Sequence, residues 1–219
     1  MVFSEEMPKE VKSPSDKLSL SSNNEMLYDG KLYTGKITFN DLSYINLKDG
    51  HLEGEGYLKQ EILETFFNVT NGKLEGEYRL NGHVNGKYND TVIVFKNGEI
   101  QATQINTEFY SQDLTFDSNG MANGIILNSG EKVTIKDGVG KSGNLILKYI
   151  LNNEKDEPVF QIFNKKNKLL SSSERSDFRF NRDHIEKMLF PSLFGKESDE
   201  ARRIKEINRK SQEELEKIR

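Results

Sequence analysis

Two histidines, His51 and His83, each follow an Asp-Gly or Asn-Gly pair directly, and the acids Glu53, Glu55, Glu75 and Glu77 stand nearby at alternate positions. An imidazole beside a carboxylate can exchange protons or ligate a metal, and two carboxylates at a set separation can cleave a glycosidic bond. The slots equivalent to His51 and His83 after the other glycines hold Lys31, Lys73, Glu99, Met121 and Val139. That variety reads as a tolerant surface position, and acids opposite lysines are the ordinary arrangement on a solvated sheet face. The chain has three His and no Cys, which excludes thiolate zinc sites, cysteine nucleophiles and disulfides. No catalytic residue, metal ligand or cofactor site is expected, and the chain reads as a non-enzyme.

Other chemical signals are weaker. Gly138-Val139-Gly140-Lys141-Ser142 resembles the end of a phosphate-binding loop, but Ile135 stands where that loop needs its first glycine. The residues that follow, Leu145-Ile146-Leu147-Lys148-Tyr149-Ile150, suit a strand rather than the helix whose N-terminus would face phosphate. Seven of the eight Arg lie beyond residue 151, yet the acids there nearly balance them, so no nucleic-acid partner is expected. The whole chain carries −4 over 219 residues. No stretch is long and apolar enough for a membrane span. The first residues lack the basic and apolar regions of a signal peptide, which leaves a cytoplasmic chain or an exported one whose leader has been removed.

The elements that would position these groups are more legible. An Asp-Gly or Asn-Gly pair recurs at 29–30, 49–50, 71–72, 81–82, 97–98, 119–120 and 137–138, with a second small residue four or five places after its Gly. The pair tolerates the left-handed backbone of a two-residue type I′ hairpin turn, and the second small residue marks a bulge or a close strand approach. Between the turns, runs such as Thr91-Val92-Ile93-Val94-Phe95 and Glu131-Lys132-Val133-Thr134-Ile135 are strand sequences. Successive first glycines are 20, 22, 10, 16, 22 and 18 residues apart, mostly one hairpin per unit. The expected fold is mainly β: an elongated antiparallel meander of hairpin repeats over 27–151.

The stretch Asn71-Gly72-Lys73-Leu74-Glu75-Gly76-Glu77-Tyr78-Arg79-Leu80-Asn81-Gly82-His83-Val84-Asn85-Gly86-Lys87-Tyr88 resembles the variant MORN repeat of bacterial proteins. Asp49-Gly50-His51-Leu52-Glu53-Gly54-Glu55-Gly56-Tyr57 resembles a second copy. Similar repeats occur in proteins labelled YwqK-type antitoxins. The resemblance covers roughly residues 27–150 and implies a β-hairpin solenoid used for binding or scaffolding, with no catalytic residues to carry over.

Flanking segments differ in composition. Residues 1–26, rich in Ser, Glu and Lys, read as a flexible arm. Residues 152–196 read as a mixed capping segment, with a last strand at Pro158–Phe163 and a helix that Asp183 caps and Pro191 ends. Residues 197–219 read as a charged helix with a thin apolar stripe, suited to capping the repeats or to self-association. The leading functional expectation is a non-catalytic module that binds a protein partner. Its anchors would be Tyr33, Tyr57, Tyr78 and Tyr88, with Glu53 and Glu75 beside them, since tyrosine buries a large area at small entropic cost. An antitoxin or immunity protein and a carbohydrate-active hydrolase on the sheet face are the alternatives.

Overall fold

The computed structural model describes residues 7–39, 42–60, 62–84, 87–128, 130–152, 157–172, 181–195 and 202. The chain is mainly β, with nineteen strands and one helix among these residues. It divides into two compact units, one of residues 1–52 with 182–219 and the other of residues 53–181.

The first unit begins within the expected arm. Strand β1 (Glu10–Ser13) pairs in parallel with β5 (Gly35–Phe39), which pairs antiparallel with β6 (Ser43–Lys48). Strands β2 (Leu18–Leu20), β3 (Met26–Tyr28) and β4 (Lys31–Leu32) form a small separate sheet. Val11, Leu18 and Met26 are buried, so these residues build core rather than a loose arm. Helix α1 (Arg182–Leu193) also belongs to this unit and buries Ile185, Glu186 and Phe190. Asp183 lies within its first turn, and the helix runs two residues past Pro191, a last-turn position. Gly195, at φ 66°, follows the last turn. Apart from Arg202, the charged helix expected over 197–219 lies outside the described residues.

Strand β7 (His51–Lys59) carries the chain into the second unit. There it is followed by β8 (Leu63–Thr70), β9 (Lys73–Leu74), β10 (Gly76–Val84), β11 (Lys87–Lys96) and β12 (Glu99–Thr107). Next come β13 (Tyr110–Phe116), β14 (Ala122–Asn128) and β15 (Glu131–Ile135). Apart from β9, which pairs only with β8, these strands run antiparallel in chain order. Strands β16 (Val139–Ser142), β17 (Leu145–Asn152), β18 (Glu157–Asn164) and β19 (Leu169–Ser172) make a second antiparallel sheet.

The register gives the large sheet two unlike faces. One lateral row reads Tyr78, Ile93, Thr103, Leu114, Gly124 and Ile135. Thr103, Leu114 and Ile135 are buried in it, and neighbouring rows bury Gln112, Ile126 and Val133. Leu147, Tyr149 and Leu151 of β17 are buried as well, and the Tyr149 ring lies 6.1 Å from that of Phe116. This is the closed face. The adjacent row reads Tyr57, Phe66, Arg79, Val92, Gln104, Asp113, Ile125 and Thr134 and points the other way.

The turns explain the glycines. Asp49 and Gly50 have φ of 51° and 81°, and the pairs at 29–30, 71–72, 97–98 and 137–138 match them. Asn81-Gly82 is different: it lies inside β10, with Gly82 opposite Leu63. The second small residue also has a physical role. A Cβ on Gly124 would stand 2.0 Å from the Asp113 carbonyl oxygen, at a φ of 148° that side chains rarely adopt.

Candidate functional site

The turn edge carries a recurring contact. Glu53 Oε1 and Oε2 accept the backbone N–H groups of Asn71 and Gly72 at 2.8 and 3.1 Å. Glu75 Oε2 accepts from Asn97 N–H at 2.6 Å, and Asn123 Oδ1 accepts from Asp137 N–H at 2.9 Å. In the first unit, Thr34 Oγ1 accepts from Asp49 N–H at 2.9 Å. In each case a polar side chain just after one turn holds the backbone of the next two-residue turn. Main-chain bonds accompany it: Gly50 N–H donates to the Tyr33 carbonyl, Gly98 N–H to Leu74 and Gly138 N–H to Ala122, at 2.8–2.9 Å. Glu53 and Glu75 thus hold turns. Among the carboxylates proposed for partner contact or sugar chemistry, these two are occupied by backbone donors.

The four candidate tyrosines do not share one surface. Tyr33 is fully buried in the first unit, and its hydroxyl lies 3.2 Å from the Pro8 carbonyl and 3.1 Å from that of Lys36. Burial, with the Tyr28 phenol and the Glu10 carboxylate nearby, pushes its pKa up to about 12. Tyr33 is therefore a core residue and cannot anchor a partner. Tyr78 lies in the closed-face row, and burial raises its pKa to about 12. Tyr57 and Tyr88 remain, both on the open face by register and by alternation along β11. Tyr88 is 45% exposed, with its ring edge-on to His83 at 5.8 Å.

Sequence reasoning missed two further residues of the open face. Ile125 and Leu127 project from β14 and are 37% and 41% exposed. Along β13 to β15, burial alternates cleanly between closed-face residues and exposed ones such as Asp113, Thr115, Lys132 and Thr134. A shallow depression of about 450 Å³ has Asp90, Asn106, Ser111 and Asp113 as polar lining and Ile125 and Leu127 as apolar lining. The period-two pattern places these residues on one face; only the register aligns them across strands.

His51 sits in a different setting. Its Nδ1 lies 3.1 Å from Glu186 Oε2, and its Nε2 lies 3.8 Å from Glu25 Oε1. Glu186 is 4% exposed; its Oε1 accepts the Leu52 N–H at 2.7 Å and lies 3.6 Å from Arg182 Nε. The carboxylate is spent on fixing α1 to the backbone beside His51. Among the described residues, no group of three or more His, Asp or Glu side chains is arranged to hold a metal ion. His83 is exposed, against Tyr88.

In the second unit the buried polar group is neutral. Gln112 Nε2 donates to Thr103 Oγ1 at 2.8 Å, and Gln112 Oε1 accepts from the Tyr110 hydroxyl at 2.6 Å. The Tyr149 hydroxyl lies 3.4 Å from both Gln112 side-chain atoms. Burial raises the pKa of Tyr149, against a smaller lowering by its Gln112 hydrogen bond, and pushes that of Tyr110 to about 12. With both amide atoms paired, this set has the character of a satisfied core.

Gly138–Ser142, the loop compared with a phosphate site, forms a two-residue turn and then strand β16. No protein family, curated protein or solved structure matches the chain. Among the described residues, no helix is long and apolar enough to cross a membrane.

Proposed function

We propose that the protein is a non-catalytic, MORN-like β-hairpin repeat module that binds a protein partner through the open face of its second unit. The observation that carries this reading is the open face itself. Tyr57, Tyr88, Ile125 and Leu127 lie on the side of the sheet opposite the buried Leu147, Tyr149 and Leu151, interspersed with Gln104 and Asp113. Aromatic and aliphatic anchors among hydrogen-bonding side chains are the composition of protein-recognition surfaces. Two of the candidate catalytic carboxylates favour binding over turnover, because Glu53 and Glu75 are engaged by backbone donors.

The test is affinity capture from lysate and envelope fractions with the full chain and with a Tyr57→Ala/Tyr88→Ala variant. Truncating two aromatic anchors is expected to weaken capture of a specific partner at least about tenfold, at about 1 kcal/mol or more each, with an unchanged circular dichroism spectrum. Equal capture by both chains would count against this face.

A further inference from the structure

The recurring turn contact has one gap. After the Asn97-Gly98 turn, Gln101 stands three residues beyond its Gly, where Glu53, Glu75 and Asn123 stand in their own copies. Gln101 holds no turn: its Nε2 donates to the Glu99 carbonyl at 3.4 Å. The reason lies in the next loop, which has a different construction. Asp117 Oδ1 accepts the Asn119 and Met121 N–H groups at 2.8 and 2.9 Å, and Gly120 N–H donates to the Asp117 carbonyl at 2.9 Å. That loop satisfies its own donors and takes nothing from the preceding copy. Ser21 and Asn164 cap two other loops in the same way.

Between the 97–98 turn and the self-capped loop lies a cleft of about 430 Å³, within the size range of small-ligand sites. Its apolar lining is Ile100 and Leu151, 2% and 7% exposed. Glu99, Asp117 and Lys96 also line it, leaving one excess negative charge, and Gln101 and Ser118 add hydrogen-bonding groups. An aliphatic surface beneath a negatively biased rim complements a side chain with an apolar stem and a cationic head. Arginine matches it better than lysine, because a planar guanidinium bonds carboxylate and amide oxygens together.

We infer that this cleft is a second recognition site, which takes an arginine side chain from a peptide segment of the partner. The inference rests on the reading of the chain as a protein-binding module, but it uses none of the open-face residues.

The experiment titrates the full chain with acetyl-Gly-Arg-Gly-amide, followed by amide chemical shifts, with the citrulline analogue and cellobiose as comparators. The expected result is a saturable shift centred on residues 96–101 and 117–118. Citrulline, which lacks the charge, should bind about fivefold more weakly or worse, and Glu99→Gln should weaken the arginine peptide by a similar factor. The Tyr57→Ala/Tyr88→Ala chain should bind the tripeptide as the wild type does, so failure of the open face and failure of the cleft are read separately. No saturable shift up to about 10 mM peptide overturns the assignment. Equal binding of citrulline or cellobiose, or an affinity indifferent to Glu99→Gln, overturns it too.

Discussion

The two units close their cores with opposite kinds of polar group. In the first, α1 brings a carboxylate to the backbone: Glu186, nearly inaccessible, takes the Leu52 N–H and faces His51 and Arg182. In the second, β17 meets the large sheet around a neutral amide, Gln112, bonded to Thr103 and two tyrosines. A buried charge needs its partners in place, and removing the matching group is costly on either side. A buried amide with its bonds made fixes geometry without that electrostatic cost. The first arrangement fastens a single helix. The second holds the closed face of a sheet whose opposite face carries the exposed Tyr88, Ile125 and Leu127.

The largest expected effect breaks the charged side of this comparison. Glu186→Ala leaves the Leu52 N–H without its acceptor and takes the nearer carboxylate from His51 and one of two from Arg182, which keep Glu25 and Asp183, at a cost of about 3 kcal/mol. Hydrogen exchange should show α1 and β5–β6 losing protection while β12–β15 keep theirs. Uniform loss across both units would make the contact less local than described. Gln112→Ala comes next, at about 2 kcal/mol from the cavity and the unpaired Tyr110 and Thr103 hydroxyls. Chemical denaturation should report that loss with little change at pH 6–8, since no group in the amide network changes charge there.

The smallest effect per group appears in alkali. Tyr33, Tyr78, Tyr110 and Tyr149 all have pKa values raised by burial. Above the ordinary tyrosine pKa of about 10, the unfolded chain releases these protons while the folded chain keeps them, so stability falls as pH rises. The contribution is whole below about pH 10 and is lost progressively toward pH 12, at under about 1 kcal/mol per tyrosine by pH 10.5. Three of the four are in the second unit, which should loosen first. Absorbance titration should show these tyrosines ionising late; all eight titrating together near pH 10 would contradict the burial.

Much of the second unit was legible because its signals are local. Asx-Gly pairs set its two-residue turns at 71–72, 97–98 and 137–138, as they do two more in the first unit, and alternation set the strands between them. The same dipeptide misled at Asn81-Gly82, where strand pairing and the close approach of the Ile62 carbonyl decide the conformation. The first strands were missed because each is three or four residues long. Val11, Leu18 and Met26 are each the one buried residue of their strand, too few to show a period. Glu186 was missed because a glutamate on a short helix reads as solvated, and its partners Leu52 and His51 are 134 and 135 residues away. Tyr33 lies in the core and the half-buried Tyr78 in the closed-face row: residue type reports affinity for an interface, whereas register and burial decide which face a side chain occupies.

The central claim is that the open face recognises a protein. Its most direct test is the capture comparison between the wild-type chain and Tyr57→Ala/Tyr88→Ala, with Leu170→Ala, an exposed residue of the other sheet, as the control. The account predicts a specific partner retained by the wild type and the control and lost from the double variant. A partner held equally by all three chains, or lost only with Leu170→Ala, would contradict it.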